Sequence, residues 1–383
     1  MISSAVVATA AVEHLYVHIP FCPKVCPYCA FYKEASERNK TQAFLEAVLR
    51  ELTMQTAMLA AENRVLRPRT IFFGGGTPSA LSTAQLEFLL GGLRAALDLS
   101  QLVEWTLEMN PATVSLEKAR ALRALGVNRI SMGVQSWEPE LLLTLGRVHT
   151  AGQARRSYEI LREAGFENIN LDLIFGIPGQ SPAQWQRSLE RTIQLGPEHI
   201  SAYNLTYEED TEFFRRFSRG EFIQDDEADA ALFEFTTDTL QAAGYAAYEI
   251  SNFARPGREC AHNLAYWQGA DYLGLGPSAF STIGERRWAG VRDTAAYIAR
   301  IAAGESATDF REHVPPATRL AESIAFGLRT NRGVALETLT PWRDDVAAHQ
   351  EHGLLATSAD GRRVLLTRKG RLVADAVALT FVG

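Results

Sequence analysis

The chain has 383 residues, 46% of them hydrophobic, which is enough for a large core and more than one domain. Its net charge of -7 disfavours nucleic acid as a partner through bulk electrostatics. Four cysteines, three of them clustered, fit a reducing compartment and argue against a disulfide scaffold.

The stretch from Met1 to Val12 is apolar but short and lacks a basic n-region, so no signal peptide is expected. No run reaches the ~18 apolar residues of a membrane span. A soluble cytoplasmic protein without an integral membrane segment is expected. The first strand candidate, 15–19, leads into Phe21-Cys-Pro-Lys-Val-Cys-Pro-Tyr-Cys29. Cys22, Cys26 and Cys29 form a C-x3-C-x2-C array on one tight loop, so three sulfurs can converge on one ion or cluster. A structural zinc site usually takes four closed ligands. A [4Fe-4S] cluster normally takes four thiolates, so three leave one iron open. The alternatives are a zinc knuckle borrowing His18, hence a zinc-stabilised binding module, or three buried thiols. Pro23 and Pro27 favour an open loop.

Further strand candidates lie near 70–73, 104–108, 129–134, 169–174 and 200–205. Helical patterns fall between them near 40–62, 83–97, 115–124, 151–164 and 182–194. Phe44, Leu45, Val48, Leu49 and Leu52 show the helix period. Strict alternation argues for a parallel sheet with helices outside, and six units are too few for a closed eight-fold barrel. A doubly wound sheet satisfies the pattern equally. The strands end in chemically useful groups, where a βα barrel would use them. Ile71-Phe-Phe-Gly-Gly-Gly-Thr-Pro78 permits close backbone approach of a ligand. The next strands end near Glu108 and Gln135, and Arg147 follows. Asp172 interrupts an apolar strand, where an unpaired carboxylate is costly, and Arg147 is its expected partner.

After about residue 206 the rhythm changes. A long helix is expected over Asp225–Ala243, a strand over Tyr245–Ile250, and a Gly-rich, Trp-bearing segment over Cys260–Gly290. Pro315-Pro316 marks a boundary. The domain expectation is 1–290 with a 207–290 extension, a linker at 291–317, and a C-terminal unit at 318–383. In that unit, helices precede Leu354–Thr357 and Val364–Thr367, joined by an Asp360-Gly361 hairpin turn. This suggests a small winged-helix-like α+β domain, acting as a packing lid in so acidic a chain.

The cysteine loop with its flanks, His18-Ile-Pro-Phe-Cys-Pro-Lys-Val-Cys-Pro-Tyr-Cys29-Ala-Phe, resembles the radical S-adenosylmethionine (SAM) superfamily. Within it, the loop is similar to the group of oxygen-independent coproporphyrinogen oxidases and HemW-like heme chaperones. The resemblance covers residues 14 to about 290. It implies an open partial (β/α)6 barrel and a [4Fe-4S] cluster on Cys22, Cys26 and Cys29. SAM would occupy the open iron and accept one electron, giving methionine and a 5'-deoxyadenosyl radical. It further implies that Gly75, Gly76 and Thr77 contact the methionyl end of SAM. Glu108, Gln135, Arg147 and Asp172 match SAM-site positions of the oxidase branch, and Tyr16, Tyr28, Thr206 and Phe280 match further SAM contacts.

Three features separate the branches. The oxidases carry another cysteine where Phe31 stands here, and they have a longer N-terminal arm. Cys260-Ala-His-Asn-Leu-Ala-Tyr-Trp267 contains the H-N-x-x-Y-W pattern of the chaperone branch, which is linked to heme. His262 would ligate heme iron, with Tyr266 and Trp267 stacking on the macrocycle. The structural alternative is a histidine packed beside a core tryptophan. Cys260 is expected to be a buried free thiol. Gly276-Pro-Ser-Ala-Phe280 departs from the chaperone branch's Gly-Ala-His and matches the oxidase pattern. The expectation is a heme chaperone that delivers heme to an acceptor protein and takes electrons from a one-electron reductant such as a flavodoxin or ferredoxin. Oxidative decarboxylation of coproporphyrinogen III is the alternative.

Overall fold

The computed structural model describes residues 10–35 and 38–382. Six βα units run in order: β1 Ala10–Ile19, α1 Arg38–Ala61, β2 Arg64–Gly75, α2 Thr83–Ala96, β3 Glu104–Met109 and α3 Leu116–Leu125. They continue with β4 Arg129–Gln135, α4 Ala151–Glu163, β5 Ile169–Phe175, α5 Pro182–Leu195 and β6 His199–Asn204. Ser82, Thr150 and Ser181 start α2, α4 and α5 as capping boxes with Gln85, Gln153 and Gln184, which satisfies amides the first helical turn leaves free. The long helix α6 is Asp226–Ala242, capped by Asp225.

Strands β1 to β6 pair in parallel in chain order. Two short strands, β7 Ala246–Ala247 and β8 Asn252–Ala254, extend the β6 edge antiparallel. The expected strand over Tyr245–Ile250 thus shrinks to two residues. Tyr245 turns its hydroxyl to Pro197 O, Tyr248 gives its own to His199, and Ser251 N donates to Glu249, which bends the chain. Helix α7 Ala261–Trp267 follows, and then β9 Leu273–Leu275 pairs parallel with β1. The sheet is therefore an open barrel with more strands than six, ordered β9-β1-β2-β3-β4-β5-β6-β8-β7.

Each parallel strand alternates. Leu15, Val17, Ile71, Phe73, Trp105, Leu107, Ile130, Met132, Leu171 and Leu173 point outward and join the helices in one core. Burying such side chains stabilises by about 1.5–3 kcal/mol each. The inward positions are polar, and the strand registers set them in rows. His14, Thr70 and Glu104 form one row, Thr106 and Arg129 the next, then Ser131, Asn170 and His199. Gly133, Asp172 and Ser201 form the row nearest the carboxyl ends.

A second antiparallel sheet holds β10 Phe280–Ile283, β11 Arg286–Gly290 and β12 Thr308–His313. Between β11 and β12 lies α8 Thr294–Ala302, whose Tyr297 and Ile301 enter the main core. The stretch 291–317 is therefore not a linker. The tail begins with α9 Pro316–Leu328 and has its own core, including Ile324, Leu328, Val364 and Phe381. Its sheet orders β13 Val334–Ala335, β15 Arg363–Leu366 and β14 Leu355–Thr357, with α10 Arg343–Glu351 before β14. The Asp360-Gly361 turn joins β14 to β15, with Gly361 at φ 72°. This helix-and-wing arrangement matches the expected α+β unit.

Candidate functional site

The loop after β1 is closed at its base by a short parallel ladder, Phe21 with Glu34 and Cys22 with Ala35. The glycine turn after β2 seats on it through two main-chain bonds, Gly76 N to Ile19 O at 2.8 Å and Thr77 N to Phe21 O at 2.8 Å. Gly75 has φ 102°, a region that favours glycine. A Cβ on Gly76 would stand 2.8 Å from Ile19 O and 2.9 Å from Phe21 O, so the turn admits no side chain. Thr77 Oγ1 donates to Cys22 Sγ at 3.4 Å, and Arg147 Nη1 lies 3.6 Å from Cys26 Sγ. Lys33 donates to the carbonyls of Cys29 and Phe31 and folds the loop's exit back on itself. Burial raises the Cys22 thiol, offset by the Thr77 bond.

These groups open onto a cavity of about 640 Å³ at the carboxyl ends of the strands. Cys22, Cys26, Cys29, Tyr28, Gly75, Gly76, Thr77, Glu108, Gln135, Arg147, Asp172 and Thr206 all line it. Gln135 sits at φ 67°, strained for a non-glycine residue. The irregular register between Gly133 and Gln135 turns its side chain across Gly133. Arg147 does not pair with Asp172 as expected; Nη2 donates to Gly133 O at 2.9 Å instead. Asp172 accepts from Asn170 Nδ2 at 2.7 Å and Ser131 Oγ at 3.3 Å. Burial, and then the nearby Asp172, push Glu108 up to about 8, and burial raises Asp172 as well.

Tyr16 and Phe280 are not among the residues that line this cavity. Tyr16 donates its hydroxyl to His18 Nδ1 at 3.0 Å. Phe280 is 44% exposed beside Phe310, because β10 belongs to the outer sheet. His18 Nε2 donates to Tyr32 O at 2.9 Å, so both ring nitrogens are committed and neither is left for a zinc ion. Burial lowers its pKa to about 4. Among the described residues no three His, Cys, Asp or Glu side chains close on a single ion position. The cysteine loop, the clash-free turn and the acid-lined cavity suit a three-thiolate cluster with an exogenous cationic ligand.

The side chains of the heme set expected on α7 have protein partners of their own. His262 is 3% exposed at the lumen floor, its Nδ1 2.7 Å from Thr70 Oγ1, which also holds His14 Nδ1 at 2.9 Å. Its ring lies against Phe72, and its Nε2 has no partner. Glu104 caps α7 by accepting from Ala261 N at 2.8 Å and His262 N at 3.1 Å. Tyr266 stacks on Tyr272, while Trp267 meets Phe326 and Arg329 of the C-terminal unit. The His262 and Tyr266 rings lie 6.2 Å apart, while Trp267 turns to the C-terminal unit. Cys260 is a buried thiol, as expected, pushed up to about 12 by burial.

The lower lumen was missed from the sequence. Arg129, Ser131, Asn170, Ser201, Tyr203 and Asn252 also line the cavity. Their signal was present: polar residues at every second position of otherwise apolar strands.

A family model described as the radical SAM superfamily matches residues 16–192. A heme chaperone HemW of Bacillus subtilis is 36% identical over 384 residues, covering 96% of this chain and 98% of that protein. The Escherichia coli heme chaperone HemW is 41% identical over 270 residues, 70% of each chain. The structure of the coproporphyrinogen III oxidase HemN from Escherichia coli, a radical SAM enzyme, superimposes with a TM-score of 0.82 at 25% identity, covering 96% of this chain and 90% of that one. Similarity on this scale along nearly the whole length leaves one assignment: the chain belongs to the HemW family of the radical SAM superfamily.

Proposed function

We propose that this protein is a heme chaperone. It binds heme and passes it to an acceptor protein, while Cys22, Cys26 and Cys29 hold a [4Fe-4S] cluster and the acid-lined cavity holds SAM. The observation that carries the proposal is the near full-length similarity to HemW of Bacillus subtilis. When bound and reduced, such a cluster supplies one electron to its SAM ligand. The chain's own contribution is positional. The Gly75–Thr77 turn brings backbone within reach of a ligand, Arg147 places a cation beside Cys26, and Glu108 and Asp172 face a cationic ligand with acid groups. A one-electron donor such as a flavodoxin or ferredoxin and a cytoplasmic setting complete the proposal.

A heme titration of the anaerobically reconstituted protein should give a saturable Soret band, and heme should move to an apo-acceptor on mixing. Likeness to HemN favours a second possibility, oxidation of coproporphyrinogen III. Incubation with coproporphyrinogen III, SAM and a reductant decides between them. No protoporphyrinogen IX is expected, and its formation would overturn the chaperone proposal.

A further inference from the structure

The lumen holds one arginine that its neighbours do not account for. Arg129 opens β4, faces inward and is only 2% exposed, yet it lines the same cavity as Glu108 and Asp172. Its Nε has no partner, and among the described residues its guanidinium forms no hydrogen bond or ion pair. An unpaired buried cation is costly, so its position calls for a function. The register gives its setting: Arg129 pairs with Thr106, and Glu108 pairs with Ser131, so Glu108 stands one row above it on the adjacent strand. Asp172, paired with Gly133, stands one row higher still.

The other groups around it are neutral or engaged. Glu104 is the remaining nearby carboxylate; it supports the charge of Arg129 from one row below while its oxygens accept from the α7 amides. Cys260 and Tyr248 face Arg129 with their protons held by burial. His199 and His262 face it as neutral rings, both pushed down by burial. Around the acids, Tyr16 and Tyr203 are pushed up by burial and stay neutral. Arg147 and Lys33, higher on the wall, are committed to Cys26, Gly133 O and the loop carbonyls.

We propose that Arg129 is a positioning residue of the SAM site: its guanidinium acts across the lumen as the counter-charge that favours the carboxylate forms of Glu108 and Asp172 toward a cationic ligand. The proposal rests on SAM lying against those two acids. Burial pushes both acids up, the charge of Asp172 adds to the push on Glu108, and Arg129 opposes it on each. SAM carries a permanent sulfonium charge, so it favours the ionised pair. Binding below the pKa of Glu108 must therefore expel a proton, and affinity falls about tenfold per pH unit there.

The test is SAM titration by calorimetry on the anaerobically reconstituted protein between pH 6 and 9, with cluster iron matched between variants. Wild-type affinity should rise with pH and level off near 8, where Glu108 ionises. Arg129→Met should move that inflection up by at least about one unit. Its Kd would then be about tenfold weaker at pH 7 and within about twofold of wild type at pH 9. Arg129→Lys, which keeps the charge, should restore most of the wild-type curve. If Arg129→Met does not accumulate folded, Arg129→Gln carries the same expectation. A loss by the same factor at every pH, or an unchanged curve, overturns the proposal. A wild-type protein that binds no SAM at any pH would instead remove the premise on which it rests.

Discussion

The loop from Cys22 to Lys33 and helix α7 both carry sulfur, nitrogen and aromatic groups at close spacing, yet only the loop turns its own toward one space. The loop has no period of its own. Its ends are tied by the Phe21–Glu34 ladder and its shoulder by the Gly76 and Thr77 amides, so its side chains are free to converge. A helix distributes side chains at about 100° per residue. His262 and Tyr266 therefore share a side, while Trp267 departs by about 140°. The result is a helix that plugs the lumen floor with one residue and docks the C-terminal unit with another. Spacing names a ligand set only where the backbone leaves direction open.

Breaking the loop should have the largest effect. Cys26→Ala should remove most of the about four irons per chain that reconstitution gives, measured as iron and sulfide, with little change in melting temperature. Wild-type iron content in that variant would contradict the three-thiolate site. On the helix side, Trp267→Ala deletes the contacts with Phe326 and Arg329. It should cost about 3 kcal/mol in urea unfolding and expose the C-terminal unit to proteolysis, with cluster content unchanged. Gly76→Ala sharpens the loop's case. Its Cβ meets backbone, which cannot swing aside, so about 2 kcal/mol should be lost together with part of the cluster occupancy. Gly91→Ala in α2 is the control, since a Cβ there meets nothing within 4 Å; it should be neutral or stabilising by up to about 1 kcal/mol.

Much of this was legible in the chain. The six βα units follow from apolar segments set between capping serines and threonines, and the groups at strand ends do gather at one cavity. The polar lumen was legible in principle. Parallel strands covered on both faces are usually apolar throughout, whereas Glu104-Trp-Thr-Leu-Glu-Met109 and Arg129-Ile-Ser-Met-Gly-Val134 alternate. Non-local pairing hid the rest. Phe280 follows a Gly-Pro turn like a site residue, but β10 is drawn outward by β11 and β12. Strand β9 is three residues long and becomes a strand only because β1 offers an edge. Tyr16 has the inward phase of a site residue, yet His18, two positions on, takes its hydroxyl.

The smallest effect is the most discriminating. His262→Ala removes a ring packed on Phe72 and one bond to Thr70, while Glu104 keeps its bonds to the α7 amides. At pH 7.5 the loss should be about 1–2 kcal/mol. Burial lowers the folded imidazole to about 3, whereas the unfolded one protonates near 6.5. The contribution of His262 is thus present above 6.5 and declines as pH falls toward 3, because the unfolded state takes up a proton that the folded state refuses. The alanine variant has no such group, so its deficit relative to wild type should narrow between pH 7 and 5. Heme affinity and the Soret band should not change at either pH. A tenfold loss of heme affinity with unaltered unfolding would mean that α7 swings away from Thr70 when heme arrives, and would make His262 a ligand after all.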